Sequence, residues 1–265
     1  MSVTIATLNK LKRENRKFAC LTCYDSSFGQ VMSDAEIEVV LIGDTLGMVI
    51  QGHNSTLPVT VDNICYHTKA VASSCSYSLI MADMPFMSAR TVESSMDSAM
   101  QLMQAGAHMV KIEGSDWLIP HVKALKQNGV PVCAHLGLTP QSVHALSGFK
   151  VQAKQDSAAN HLINAALQLE KAGADLILVE CIPTNVTEKL HASLSVPLIG
   201  IGAGPNCDGQ ILVTYDILDL PPGKKPKFVK NYGSNHSILA AISQYKQEVQ
   251  DGTYPGPEHS FLGAS

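Results

Sequence analysis

The chain has 265 residues, 45% of them apolar and 16% charged, with a formal net charge of −4 at pH 7. That composition can build a sizeable core and excludes a disordered chain, and its mildly acidic balance offers nothing to attract nucleic acid or an anionic membrane. No apolar run reaches the ~18 residues a membrane helix needs.

The N-terminal "MSVTIATLNKLKRENRKF" lacks the apolar core of a secretory signal. Ile5, Leu8 and Leu11 fall on one side of an amphipathic helix. "FACLTCY" (18–24) follows as a buried strand. Its "CLTC" matches C-x-x-C, but residues three apart on a strand point to opposite faces and cannot chelate one metal, and no second pair completes a zinc site. The seven cysteines are expected to be small, mostly buried thiols of a reducing cytoplasm. After "VVLIGD" (39–44), the long "GHNSTLPVTVDNICYH" (52–67) reads as a lid or subunit-contact loop, with His53 and His67 as packing residues. "LIMADM" (79–84) is the third strand. In the helix "VESSMDSAMQLMQ" (92–104), Met96, Met100 and Met103 recur at helical spacing and are expected to fill core.

In "MVKIEG" (109–114), Lys111 and Glu113 lie two apart and share a strand face, while Val110 and Ile112 take the face that packs on helices. "PVCAHLG" (131–137), "LILVE" (176–180), "PLIGIGAG" (197–204) and "GQILVT" (209–214) complete eight apolar runs. Most do not alternate, as strands buried on both faces of a parallel sheet should not. "GIGAG" has the wrong spacing for a dinucleotide fingerprint and reads as a tight strand-to-loop passage. "LPPGKKPK" (220–227) and "DGTYPGPEH" (251–259) read as loops around a helix near 235–250.

An internal echo supports the alternation. "QAGAHMVKIEG" (104–114) parallels "KAGADLILVEC" (171–181): a helix end, a glycine suited to C′, then a strand ending in glutamate. Eight strands alternating with helices predict a (β/α)₈ TIM barrel over residues 1–265, one domain with an N-terminal capping helix and a C-terminal helical tail. A doubly wound open sheet is the alternative, without the glycine fingerprint its dinucleotide-binding form would carry.

A barrel builds its active site at the C-terminal strand ends, and those positions hold Asp44, Asp83, Glu113, His135 and Glu180. Singly, each acid reads equally well as a helix cap. Together, close carboxylates repel and raise one another's pKa, a conflict a divalent cation resolves. Oxygen donors without cysteine or paired histidines favour Mg²⁺ over Zn²⁺. Such an ion would act as a Lewis acid on a 2-oxo acid. Lys111 would face the developing negative charge, and a remaining carboxylate would take the proton beside the carbonyl. Spacing leaves open which acid is that base. It also leaves open a plain buried Lys111–Glu113 ion pair closing the barrel.

Several motifs now on the page resemble the ketopantoate hydroxymethyltransferase family: "TCYD" (22–25), "GDTLGMVIQGHNSTLPVTVDNICYH" (43–67), "ADMPF" (82–86), "AGAHMVKIEG" (105–114), "AHLGLTPQSV" (134–143), "GIGAG", "DGQILV", "PKFVKNY" and "YPGPEHSF". The resemblance runs nearly the whole chain. It implies a TIM barrel of the phosphoenolpyruvate/pyruvate superfamily that transfers a hydroxymethyl group from 5,10-methylenetetrahydrofolate to 3-methyl-2-oxobutanoate in pantothenate biosynthesis, upstream of coenzyme A. By that likeness Asp44, Asp83 and Glu113 fall on the Mg²⁺ site. Asp44, Thr45, Asp83, Lys111 and His135 fall on substrate contacts, and Glu180 on the general base. The family usually forms a homodecamer. Thr45 stands where many members have serine, and Asp219 where many have glycine. The superfamily's oxo-acid lyases and mutases are the alternative, but the lyases use a cysteine in a "KKCGH"-type loop that has no counterpart here.

Overall fold

The structure is a computed structural model that describes residues 2–234 and 237–263. Eight parallel strands close into a barrel in sequence order: β1 (Phe18–Thr22), β2 (Val39–Ile42), β3 (Leu79–Asp83), β4 (Met109–Glu113), β5 (Val132–Gly137), β6 (Leu176–Glu180), β7 (Leu198–Ile201) and β8 (Gly209–Leu212), with β8 pairing back onto β1. The helices are α1 (Ile5–Arg13), α2 (Ser26–Asp34), α3 (Leu46–Val49), α4 (Val61–Ala72), α5 (Val92–Gln104), α6 (Ile119–Gln127), α7 (Asp156–Ala172), α8 (Thr184–Ser193), α9 (Thr214–Ile217) and α10 (Ile238–Gln250). The open-sheet alternative is thereby set aside.

Local chemistry sets the helix boundaries. Thr60 and Thr91 form capping boxes with Asn63 and Ser94 at the starts of α4 and α5. The echoed glycines, Gly106 after α5 and Gly173 after α7, have φ of +111° and +116°, the left-handed turn that returns each chain to its next strand. Residues 61–67 of the predicted loop 52–67 are helix, because the Thr60 cap starts α4 at Val61.

Two apolar clusters share the strands by alternation. Val110, Ile112, Val132, Ala134, Ile177 and Val179 face the helices. Cys20, Val39, Leu41, Met81, Met109, Cys133 and Leu178 fill the barrel interior, closed from below by Val3, Leu8 and Leu11. Cys20 faces inward and Cys23 outward, as their spacing requires, and all seven thiols are free. Lys12 Nζ fastens α1 to the barrel by an ion pair with Asp208 (2.8 Å). The Tyr245 hydroxyl of α10 lies 3.2 and 2.8 Å from the carbonyls of Cys20 and Gln210 across the β1–β8 seam.

The methionine expectation holds in part: Met96 and Met103 pack half-buried against the core, and Met100 does not. Met100 is 51% exposed, and the buried stripe is Ser95, Ser98, Ala99 and Leu102. Small residues let α5 approach α6 closely enough for Ser95 Oγ to meet His121 Nδ1 at 2.6 Å, and Met100 is left on the outer flank.

Candidate active site

The inward strand face changes from apolar below to charged at the mouth. On β3 the order is Leu79, Met81, Asp83; on β4, Met109, Lys111, Glu113; on β5, Cys133, His135; on β6, Leu176, Leu178, Glu180. Parallel register sets Asp83 opposite Lys111, Glu113 opposite His135 and Gly137 opposite Glu180. Asp44 enters from two residues beyond β2, its backbone N–H donating to Asp83 Oδ2 at 3.2 Å. Thr45 Oγ1 lies 2.7 Å from the hydroxyl of Tyr24. All seven predicted site residues, Asp44, Thr45, Asp83, Lys111, Glu113, His135 and Glu180, line one inner cavity of about 50 Å³. Thr45, Pro140 and Glu180 also border an outer cavity of about 470 Å³ with Phe149, Phe228 and Phe261 in its walls.

The lysine is the electrostatic centre. Its Nζ lies 3.0 Å from Asp83 Oδ1 and 3.0 Å from Glu113 Oε1. Burial opposes its charge, but Asp83, Glu113 and Asp44 outweigh burial and hold the ammonium above the ordinary lysine range. Glu113 is also buried, yet Lys111 and His135 pull its carboxyl down to about 2. The other two acids are undercompensated. Burial raises Asp83 to about 6 against the pull of Lys111. Burial, then the charges of Asp83 and Glu113, push Asp44 well above the carboxylate range. One ammonium does not neutralise three buried carboxylates. The ion-pair reading therefore accounts for Glu113 and leaves Asp44 and Asp83 unexplained.

A hard cation fits this donor set. Ligand oxygens of Asp44, Asp83 and Glu113 lie within 4.8 Å of one another. Asp83 Oδ1, buried beside Lys111, has no aligned hydrogen bond. His135 stands between two acids, Nδ1 3.3 Å from Glu113 Oε1 and Nε2 3.3 Å from Glu180 Oε2. Glu180 is the more accessible acid, with 13% of its side chain exposed. His67 bonds the Tyr24 carbonyl (2.6 Å) and His53 is exposed, so neither joins the site.

Three participants escaped sequence reasoning. Tyr24 supports Thr45. Cys181 follows Glu180 with φ +47°. Gln141 bonds both Asp44 and Glu113. Tyr24 and Gln141 lie in irregular segments, where no periodicity says which way a side chain points. The "TCYD" and "AHLGLTPQSV" blocks were their available signals.

The profile of the ketopantoate hydroxymethyltransferase family matches residues 2–257. A 3-methyl-2-oxobutanoate hydroxymethyltransferase of Marinobacter nauticus is 52% identical over 262 residues, covering 98% of this chain and 99% of that one. The chain belongs to the ketopantoate hydroxymethyltransferase family. Among other members, the Escherichia coli O139:H28 enzyme is 49% identical over 97% of this chain and 98% of its own. In fold, this hydroxymethyltransferase-family barrel is similar to a phosphonopyruvate hydrolase solved with oxalate and Mg²⁺, at 14% identity and a TM-score of 0.62 over 97% of this chain and 93% of that one. It is likewise similar to 2,3-dimethylmalate lyase, a member of the PEP mutase/isocitrate lyase superfamily, at 13% identity and a TM-score of 0.59 over 97% and 88%. Among the described residues, no helix is long and apolar enough to cross a membrane.

Proposed function

We propose that the chain catalyses transfer of the one-carbon unit of 5,10-methylenetetrahydrofolate to C3 of 3-methyl-2-oxobutanoate. With one water consumed, the products are 2-dehydropantoate and tetrahydrofolate. The observation that carries this reading is the buried convergence of Asp44, Asp83, Glu113 and Lys111 with Glu180 at the junction of the inner and outer cavities. Asp44, Asp83 and Glu113 would hold Mg²⁺, which when bound supplies Lewis-acid polarisation of the oxo-acid carbonyl. Lys111 is fixed and charged, and stabilises negative charge growing on that oxygen. Thr45, oriented by Tyr24, offers a hydroxyl to the substrate carboxylate, and His135 braces the carboxylate of Glu180.

Glu180 removes the C3 proton. Its partial access to the outer cavity lets it work where the two substrates meet. The electron pair left at C3 forms the bond to the folate-borne carbon, whose two C–N bonds break as water supplies the hydroxyl. The folate nitrogens take the C3 proton and the remaining proton of the water. The apolar and aromatic walls of the outer cavity suit a pterin. A homodecameric assembly of one-domain barrels in the cytoplasm completes the proposal by family likeness.

Proton NMR of 3-methyl-2-oxobutanoate in D₂O tests the first half. With Mg²⁺, the C3 proton is expected to exchange; EDTA stops it, and Glu180→Gln slows it by about 10²–10⁴-fold. Near-parental exchange in Glu180→Gln removes Glu180 from the base role. Absence of both exchange and folate-dependent product overturns the reading.

A further inference from the structure

Gln141 lies in a single 3₁₀ turn, Pro140–Ser142, directly after β5. Its side-chain amide donates to Asp44 Oδ2 and to the Met84 carbonyl, each at 2.9 Å. Its backbone N–H donates to Glu113 Oε2 at 3.0 Å. One residue therefore gathers the ends of β2, β3 and β4 from a loop that belongs to β5. Among the described residues, Gln141 alone between 139 and 151 makes hydrogen bonds outside that loop. At its two ends the loop is held by Leu138 N–H to the Glu180 carbonyl (2.9 Å) and Gln152 N–H to the Cys181 carbonyl (2.8 Å).

The chemistry of these contacts is directional. Gln141 occupies one oxygen of Asp44 and one of Glu113 with donors, and the Asp44 N–H occupies one oxygen of Asp83. Asp44 thus keeps a second oxygen for an ion, and the second oxygens of Asp83 and Glu113 face Lys111 Nζ at 3.0 Å each. An amide that donates twice cannot rotate to present its carbonyl without setting oxygen against both Asp44 and the Met84 carbonyl. The arrangement selects one orientation of the carboxylates, which is how residues behind metal ligands raise ion affinity. The same loop supplies Phe149 and Val151 to the wall of the outer cavity, so its anchor touches both halves of the site.

We infer that Gln141 is a positioning residue for the cation-binding carboxylates and the point at which the loop after β5 is latched to them. This rests on the proposed cation site. The latch should be reciprocal, because an ion that favours the bonded carboxylate orientation also favours the anchored loop.

The test uses the full chain, Mn²⁺ alone as probe, and Gln141→Met, which keeps length and the backbone bond to Glu113 but removes both amide donors. We expect the Mn²⁺ dissociation constant, read by electron paramagnetic resonance, to rise by about 10–100-fold. The shorter amide in Gln141→Asn gives a second reading in the same direction should the methionine variant fold poorly. Mg²⁺ should slow chymotryptic cleavage after the exposed Phe149 in the parent and not in Gln141→Met. Parental Mn²⁺ affinity in both variants, with retained protection by Mg²⁺, overturns the inference while leaving the cation site standing. A parent chain that binds no Mn²⁺ removes the cation site and the inference with it.

Discussion

Lys111→Met is the perturbation whose size the structure defines best. The ammonium is buried and touches two carboxylates at 3.0 Å each. Two unit charges 4 Å apart interact by about 4 kcal/mol at an effective dielectric of about 20, and these pairs are closer. Some of the loss is recovered because Asp83, already raised to about 6 by burial, takes up a proton once its cation is gone. Breaking a buried pair from one side costs about 3–5 kcal/mol. At about 2–4 °C per kcal/mol for a chain of this size, the melting temperature in EDTA should fall by about 6–20 °C. In Mg²⁺ the fall should be markedly smaller, since an ion at Asp44 and Asp83 supplies positive charge to the same oxygens. Differential scanning calorimetry of both proteins, with and without Mg²⁺, reads all four values. A fall of under about 2 °C in EDTA would refute the ion-pair argument. Equal falls in the two conditions would refute a shared site for lysine and ion.

Gly137→Ala should damage both stability and activity. Gly137 has φ +90°, and an added Cβ would lie 2.5 Å from the Glu180 carbonyl oxygen on the paired strand. Urea unfolding should show a loss of about 1–3 kcal/mol, and C3 exchange should drop because the backbone of Glu180 must move; unchanged values for both would contradict the register. The pH dependence has a definite sign. Burial raises Asp83 from 3.8 to about 6, so in EDTA its contribution to stability is complete below pH 4 and is lost as pH rises through 6. An ion replaces that proton, and the Mg²⁺-induced gain in melting temperature should grow between pH 4 and 7. A gain flat across that range would disprove the competition.

Much of the site is legible in the sequence. Strand alternation placed Lys111 and Glu113 on one face, and the charged ends of five apolar runs located Asp44, Asp83, Glu113, His135 and Glu180 at one barrel mouth. The partner of each charge could not be read, because pairing across strands depends on register. Asp83 opposite Lys111 and Glu113 opposite His135 follow from barrel stagger, which no local pattern encodes. Gln141 was missed for a related reason: its reach to Asp44 depends on how a loop folds back over a neighbouring strand. Met100 of α5, exposed while Met96 and Met103 pack half-buried against the core, departs for a different reason. Helical spacing marks a stripe but not which stripe packs, and Ser95, Ser98 and Ala99 won by their small size. Asp219, noted where the family often has glycine, has φ +57°, the conformation that glycine adopts freely and aspartate tolerates.

The acidic side chains come from β3, β4, β6 and the turn beyond β2, and the residue that braces two of them comes from the turn beyond β5. The candidate ligands Asp44, Asp83 and Glu113 come from three successive strand ends, so among the described residues no single hairpin or helix pair brings them together. A cation held there would therefore not nucleate assembly as zinc does in a small finger. It would meet its ligands only once the early strands are aligned and the loop after β5 has crossed over them. Any excess of ion affinity over that of scattered carboxylates is then a measure of how much of the barrel has finished folding.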